Sequence, residues 1–393
     1  MSIYLYLIKI RAYLLLNSIV DWITLSFIPG LGVTGFWRLV NHYTSPGAAL
    51  GASVEKSRKI QGIRTKQLDG FREIGRARER ALVELDRIEK SGGQAICWQD
   101  ADYPGQLRHL VDPPPVLYVQ GDPSLLTRPS VAVVGSRAAT GYGRRICTGL
   151  CSLLAAKGVV VVSGLALGID THAHEGALQC GGMTVAVLGC GLDVIYPKQN
   201  LSLLEKIRRS GLVVSEYPLG TRPEPFRFPA RNRIIAGLTQ GVVVVEAAKK
   251  SGSLITAQIG LDLGREIFAV PGQVDSFKSE GTHWLLQQGA KLVQNVDDIL
   301  VEMDGAASCG AAAAGRMRDD PARLQNCAPD LDPDEHALLQ CVDCYPQSRD
   351  VIVERSGLDS SRVSELLLML ELEGLVELLP GGQVTKVGGG RSD

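Results

Sequence analysis

Basic residues alternate with aromatic rings in one short segment, and this combination could bind a phosphate backbone with exposed bases. From Arg222 to Arg233 the chain has four arginines and two phenylalanines, diluted by the single acidic residue Glu224. Guanidinium groups neutralise phosphates, while rings and guanidinium planes stack on bases. A solvated loop whose phenylalanines enter the core would show the same pattern. The segment therefore raises single-stranded nucleic-acid binding as one of two interpretations.

Four further segments that could bind phosphate each follow a valine-rich run. They combine glycines, hydroxyl groups and fixed positive charges, and they are residues 135–143, 163–170, 189–198 and 249–253. Backbone N–H groups in such loops and at helix N-termini favour anions. Because ligands of an open parallel sheet lie outside the carboxyl ends of its strands, we expect these loops to form one rim that binds several phosphates.

Valine-rich runs alternate with helical patterns between residues 131 and 293. The runs are residues 131–135, 159–164, 184–189, 212–216, 241–247 and 266–270, with a shorter one at 290–293. Continuous apolar runs indicate strands that are buried on both faces, as in a parallel sheet. The alternation predicts an α/β fold, an extended Rossmann-like doubly wound sheet that is mostly parallel.

Composition shifts divide the chain into five parts. We predict an unassigned extension over residues 1–20, a helical SAM-like domain with a helix–hairpin–helix turn over 21–100, and the Rossmann-like domain over 101–303. An Ala/Gly-rich linker over 304–331 and a winged-helix domain over 332–388 follow. The Rossmann-like part is mildly basic, since residues 131–300 have 17 Lys/Arg and 13 Asp/Glu, whereas residues 332–387 have 4 against 11. We therefore expect the two parts to meet different partners.

The residues give little support for disulfides, a membrane span, a metal site or a cofactor site. Nine cysteines without framework spacing are typical of reduced cytoplasmic thiols, and residues 1–16 are too short to span a membrane. His172 and His174 would point to different sides of a helix, so no metal site is predicted. Gly141 and Gly143 lack the third glycine of a dinucleotide fingerprint, and no cofactor is expected.

No catalytic constellation stands out in the sequence. Glu216 and Glu246 each end a strand and could act as bases, but carboxylates in such places more often cap or order loops. The chain has no Gly-x-Ser-x-Gly elbow for a serine nucleophile. These observations favour a binding protein over an enzyme.

Seven ordered motifs together resemble the DNA-processing protein A family (DprA, also called Smf). The motifs are GSR-x-x-T-x-YG (135–143), SGLALGIDTHAHEGAL (163–178), LGCGLDVIYPKQN (188–200), SEYPLG (215–220), FPARNRIIAGL (228–238), EAAKKSGSLITA (246–257) and VPG (270–272). The resemblance covers about residues 102 to 300. It is looser in the helical N-terminal part and in the winged-helix part.

The resemblance implies a cytoplasmic, non-enzymatic protein of bacterial natural transformation that binds single-stranded DNA. Such a protein protects incoming DNA and helps to load the RecA recombinase, displacing single-strand-binding protein. By position, Arg137 and Lys198 would each hold a phosphate, and the remaining groove residues would be Gly135, Ser136, Ser163, Gly164, Arg231, Asn232, Arg233, Ser251 and Ser253. The family forms homodimers, for which the candidate residues are His283, Leu286 and Leu292.

Two other functions compete with this interpretation. Distantly similar Rossmann proteins act on free nucleoside monophosphates through a Pro-Gly-Gly-x-Gly-Thr loop, which is broken here into Pro271-Gly-Gln and, separately, Glu280-Gly-Thr. A regulator of double-stranded DNA would use the winged helix, but the acidity of that domain opposes binding to phosphates. We expect the winged helix to bind protein instead.

Overall fold

The computed structural model describes residues 18–181, 183–307, 333–342, 347–372, 375–379 and 381–386. The chain divides into two compact units, Met1–Gly310 and Ala311–Asp393. The predicted extension over residues 1–20 lies outside the described residues except for its last three, and the predicted linker does so from residue 308 onward. Within the described ranges, no helix combines the length and the apolar character needed to cross a membrane.

The first unit begins with a bundle of helices. Its members are α1 (18–26), α2 (Gly32–Tyr43), α3 (Pro46–Leu50), α4 (Val54–Ser57), α5 (Thr65–Asp69) and, after a 3-10 turn at Gly70–Glu73, α6 (Ile74–Lys90). Gly30 and Gly32 have φ of 76° and 64° in the predicted turn between α1 and α2, a conformation that favours glycine. Helix α6 buries Ala77, Ala81 and Ile88 at helical spacing, so one of its faces belongs to the core.

A nine-stranded sheet follows the bundle. Its strands are β1 (Gly93–Cys97), β2 (Val116–Gly121), β3 (Ser130–Val134), β4 (Val160–Ser163), β5 (Thr184–Leu188), β6 (Leu212–Ser215), β7 (Gly241–Val244), β8 (Glu266–Ala269) and β9 (Lys291–Leu292). Their order is β1-β2-β6-β5-β4-β3-β7-β8-β9. Only the pairs β1–β2 and β2–β6 are antiparallel, which confirms the predicted mostly parallel sheet.

Helices cover both faces of this sheet. They are α7 (Gly141–Ala156), α8 (Ile169–Gln179), α9 (Leu201–Ser210), α10 (Arg227–Leu238), α11 (Gly252–Asp262), α12 (Glu280–Gln287) and α13 (Asp297–Ala307), with short 3-10 turns at Gly105–His109, Pro123–Thr127 and Lys198–Asn200. Alternate residues of one strand point to opposite faces, so Val131 and Val133 pack with α7 and α8 while Ala132 and Val134 pack with α10 and α11. Valine therefore suits both sides of each central strand.

Three features of this unit differ from the sequence prediction. Strand β1 lies within the predicted helical domain, but it pairs with β2 from Gly93 to Cys97 and extends the sheet. The strand is only half-buried, and its sequence, GQAIC, lacks the valine run that marks the central strands. The position of the basic segment after a strand indicates a loop, whereas its second half forms α10. Helix α13 continues to Ala307, beyond the predicted start of the linker at residue 304.

Strand order places the candidate loops together. From β3 the chain proceeds outward through β4, β5 and β6, and then returns to place β7 on the other side of β3. This reversal is a topological switch point. The loops that follow the carboxyl ends of β3 and β7 diverge there and leave a crevice between them. The loops that the sequence predicted to form a rim thus share one edge of the sheet.

The second unit is a small helical domain with a three-stranded sheet. Its elements are α14 (Pro333–Cys341), β10 (Gln347–Ser348), α15 (Arg349–Ser356), α16 (Ser360–Leu372), β11 (Val376–Leu379) and β12 (Gln383–Lys386), with sheet order β10-β12-β11. Gly357 ends α15 with φ of 65° and lets the chain turn into α16. Three helices followed by a strand pair confirm the predicted winged helix.

Candidate nucleic-acid interface

A cavity of about 400 Å³ opens at the switch point of the sheet. The loop after β3 contributes Arg137 to its wall, the start of α10 contributes Phe228 and Asn232, and the start of α11 contributes Ser251 and Ser253. Its lining mixes rings, hydroxyls, an amide and guanidinium groups. Such a surface can contact both the charged and the apolar parts of a nucleotide.

Stacked groups form one wall of the cavity. The Tyr196 and Phe228 rings lie with their centroids 5.3 Å apart and tilted by 31°. The guanidinium carbon of Arg137 lies 5.6 Å from the centroid of the same Phe228 ring. Arg137 and Tyr196 are exposed to solvent. In this arrangement the guanidinium of Arg137 can neutralise a phosphate, and the two rings can stack on a base.

A buried carboxylate fixes the loop that carries Arg137. Glu246, at the end of β7, accepts hydrogen bonds from the backbone N–H of Thr140 (3.0 Å) and from the Thr140 hydroxyl. The Thr140 hydroxyl oxygen also accepts from the backbone N–H of Gly143, 3.0 Å away, and caps α7. Glu246 is 5% exposed. From the end of β7, Glu246 therefore orders the loop that follows the neighbouring strand β3. Loop ordering is one of the two roles that the sequence indicates for it.

A second buried carboxylate orders the loop after β4. Asp170 accepts from the backbone N–H groups of Gly164 (3.1 Å) and Ala166 (3.3 Å). Burial raises the pKa of Asp170, and Arg231 and these two N–H groups oppose the shift. The N-cap of α8 is Gly168, and Asp170 lies inside the first turn of that helix. Its hydrogen bonds point back to the preceding loop.

Arg231 belongs mostly to the interior. Its Nη1 donates to the backbone oxygens of Gly164 (2.8 Å) and Val187, and its Nε donates to the side chain of Asn232 at 3.2 Å. The residue is 4% exposed, and burial lowers the pKa of its guanidinium. A Cβ on Gly164 would lie 2.5 Å from this guanidinium, so the close approach requires glycine. Arg231 thus connects the ends of β4 and β5 beneath the cavity.

Two of the predicted groove residues lie away from the cavity. Arg233 pairs with the buried Glu216 and, at 3.5 Å, with Asp112. The Ser163 hydroxyl is fully buried and donates to the backbone oxygen of Val133 at 2.7 Å. Burial raises the pKa of Glu216, and Arg233 opposes that shift. These side chains are engaged within the fold rather than presented to a ligand.

The structure brings most other predicted groove residues to this edge of the sheet. Those that line the cavity are Gly135, Arg137, Arg231, Asn232, Ser251 and Ser253. Gly164 lines a smaller neighbouring cavity of about 70 Å³ that also contacts Arg137. Ser136 follows Gly135 in the same loop, and its hydroxyl accepts from the backbone N–H of Ala138 at 3.2 Å. Lys198 is exposed on the loop that carries Tyr196.

Sequence reasoning missed the stacking partner Tyr196 and the ordering role of Asn200. Asn200 is buried, and its amide donates to the Leu165 oxygen (2.9 Å) and the Thr171 hydroxyl (3.0 Å). It thereby links the loops after β4 and β5. Both residues lie in the motif around Lys198, whose sequence indicates the lysine charge but neither the ring stacking nor the buried amide.

Metal ligands do not gather in the described part of the chain. It contains no group of three or more His, Cys, Asp or Glu side chains that could hold an ion. His172 pairs with Glu175 at 3.0 Å, while the buried His174 contacts the Thr184 hydroxyl through Nδ1 at 2.7 Å. Each histidine thus has its own partner within the fold.

The three candidate dimer residues lie near the β9 edge of the sheet and differ in exposure. Leu292, on β9, is 46% exposed. Leu286 is half-buried against the sheet, and His283 Nε2 lies 3.2 Å from the backbone oxygen of Gly272. Leu292 is therefore the member of this set that faces outward most clearly.

Comparisons with known proteins identify the family. The family model described as DNA recombination-mediator protein A matches residues 94–304, and the DprA winged helix domain matches residues 322–382. Protein Smf of Escherichia coli is 41% identical over 307 residues, which is 75% of this chain and 81% of that protein.

Two solved structures are similar as well. That of DNA processing protein A from Streptococcus pneumoniae has a TM-score of 0.64 and 39% identity, covering 71% of this chain and 95% of that one. The DNA processing protein A of Helicobacter pylori, described for its single-stranded DNA binding mode, has a TM-score of 0.50 and 34% identity over 54% of this chain and 97% of its own. The chain belongs to the DNA processing protein A family, DprA/Smf.

Proposed function

We propose that this protein binds single-stranded DNA along the carboxyl edge of its parallel sheet. The observation that carries the proposal is the stack of Arg137, Phe228 and Tyr196 on the wall of the switch-point cavity. Arg137 and Lys198 are exposed cations that can neutralise phosphates, and the rings can stack on bases of any sequence. The relative from Helicobacter pylori, which is described as binding single-stranded DNA, supports this assignment.

In this proposal the groove residues have two kinds of role. Arg137, Lys198, Ser251 and Ser253 contact the DNA, together with backbone groups of Gly135 and Ser136. Arg231 forms the floor of the cavity and donates a hydrogen bond to the side chain of Asn232, which also lines the cavity. Ser163, Gly164 and Arg233 hold the surrounding loops in place, because their polar groups are engaged inside the fold.

The family's description as a recombination mediator supports a proposal for the wider role. We propose that the protein acts in natural transformation, protects incoming single-stranded DNA and helps to load the RecA recombinase while single-strand-binding protein is displaced. It acts as a homodimer through the β9 edge, where Leu292 is exposed. In this proposal the protein binds DNA in the cytoplasm and does not catalyse a reaction. The two carboxylates that follow strands are engaged within the fold, Glu246 by Thr140 and Glu216 by Arg233.

A titration of fluorescent oligo-dT, followed by anisotropy, tests the binding proposal. We expect Arg137→Ala and Lys198→Ala to weaken binding by about tenfold each and to lower the salt dependence by about one counterion. Lys157→Ala is the matched control, because Lys157 is an exposed cation at the far end of α7, on the opposite edge of the sheet. Affinities of both groove variants equal to wild type would refute the proposal.

A further inference from the structure

Polar contacts run from the helical bundle to two loops of the candidate groove. The carboxylate of Glu84, on α6, accepts the backbone N–H of Leu219 at 2.6 Å. Arg87, one turn further on, donates to Asp193 at 3.2 Å, and Asp193 in turn accepts the backbone N–H of Gly220 at 2.6 Å. Two loops of the sheet are therefore held by one helix of the bundle.

These two loops continue into the groove wall. Residues 189–198 contain Asp193 and lead to Tyr196 and Lys198, while residues 216–226 contain Leu219 and lead into Phe226 and α10. The loops also bond each other, since the backbone N–H of Gly191 donates to the oxygen of Thr221 at 3.0 Å. A displacement of either loop would move the stacked rings and the cation that the proposed function assigns to DNA.

Apolar contacts at the same place make the connection stiff. The core cluster that contains Ala77, Ala81 and Ile88 of α6 also contains Leu188, Cys190 and Leu192, and Val194 and Leu219 pack against it. Glu84 is only 5% exposed within this cluster. A carboxylate buried among apolar side chains is costly unless its partners are retained, so the contact with Leu219 fixes the position of that loop.

We propose that Glu84 and Arg87 are positioning residues for the DNA groove, and that the helical bundle serves as the rigid base of the wall that carries Tyr196 and Lys198. The inference rests on the proposed DNA-binding function. It assigns the bundle a task in that function without a DNA contact of its own. Loss of the Glu84 carboxylate would free residues 216–226 and, through Thr221 and Gly191, residues 189–198.

The test measures oligo-dT affinity and the protection of a buried thiol in the full-length protein. We expect Glu84→Ala to weaken oligo-dT binding about tenfold, the effect of losing one charge-assisted hydrogen bond. Glu84→Gln retains an oxygen that can accept from Leu219, and we expect its affinity to stay within about threefold of wild type. The control is Arg78→Ala, which removes the 2.7 Å contact to Asp21 inside the bundle and leaves both loops untouched.

Cys190 reports on the loop independently of DNA. Its thiol is 1% exposed and lies 3.4 Å from the backbone oxygen of Val194, whereas Cys180 is exposed. In alkylation followed by peptide mass spectrometry, we expect Cys190 to react about tenfold faster in Glu84→Ala and at the wild-type rate in Arg78→Ala. Cys180 supplies the internal standard for reagent access.

The outcomes separate the two proposals. If wild type binds oligo-dT and Glu84→Ala binds equally well with Cys190 still protected, the positioning role is wrong and the DNA-binding function stands. If Arg78→Ala weakens binding as much as Glu84→Ala, general destabilisation of the bundle explains the loss and the positioning role is again refuted. If wild type binds no oligonucleotide, the proposed function fails, whereas faster labelling of Cys190 in Glu84→Ala would still support the structural link.

Discussion

Replacing Arg231 with alanine should unfold the protein more readily rather than simply weaken a ligand contact. The side chain is 4% exposed and donates to the backbone oxygens of Gly164 and Val187. It also offsets the burial of Asp170, whose pKa is already raised. Removal of the guanidinium leaves two carbonyl groups without their donor and a buried carboxyl without its nearby positive charge.

The expected loss can be sized from buried ionic groups in general. Removing one member of such a network costs about 3–5 kcal/mol, because the remaining groups stay buried without compensation. In a unit of this size, each kcal/mol corresponds to roughly 2–4 °C in Tm. We therefore expect Arg231→Ala to lower Tm by about 6–20 °C. Arg137→Ala removes the same chemical group from an exposed position and should leave Tm within about 2 °C.

Differential scanning calorimetry of the full-length variants, together with oligo-dT titration below their Tm, checks this reasoning. The expected pattern is a destabilised Arg231→Ala and a stable Arg137→Ala that binds DNA weakly. An Arg231→Ala protein with the wild-type Tm and the binding defect of Arg137→Ala would refute the interior role. In that case Arg231 would contact DNA directly, as the sequence pattern alone suggested.

Three further predictions concern stability and assembly. Burial lowers the pKa of His174 from 6.5 to about 3, so the unfolded chain takes up a proton that the folded protein excludes. Stability should therefore fall by up to ~1.4 kcal/mol per pH unit below about pH 6.5 in urea titrations, and His174→Asn should reduce this slope. Gly168→Ala should destabilise the protein by roughly 1–3 kcal/mol more than Gly158→Ala in the same assay. Both glycines have positive φ, but of the two only Gly168 would place a Cβ against the backbone, 2.3 Å from the oxygen of Ser136. Equal losses of stability would contradict this reasoning. Leu292→Asp should convert the proposed homodimer to monomer in sedimentation velocity, and an unchanged mass would exclude β9 as the interface.

Local patterns were enough to predict the parallel part of the sheet. Runs such as Val242 to Val245 are buried on both faces, and β-branched residues between helical segments have few other places in a fold. The edge that we expect to bind ligands follows from the same pattern, since the glycine- and cation-bearing loops come after these strands. Arg137 could therefore be assigned to the cavity from its position after β3.

The inward-facing arginines could not be predicted in the same way. Arg231 and Arg233 lie in a basic segment that also contains exposed residues such as Arg222 and Phe226, and their partners come from other parts of the chain. Gly164 is 67 residues from Arg231, and Glu216 is 17 residues from Arg233. Burial of a charge is decided by whether such partners converge in three dimensions, which spacing along the chain does not reveal.

The central claim is that the cavity edge binds single-stranded DNA in preference to duplex DNA. The most direct measurement is an anisotropy titration of wild-type protein with a labelled oligo-dT and with the corresponding duplex, each at about 50 and about 200 mM salt. Exposed bases can stack on Phe228 and Tyr196, whereas paired bases are inaccessible to them. We predict tight binding to the single strand that weakens with salt, and much weaker binding to the duplex. Equal affinity for both forms, or binding to neither, would contradict this account.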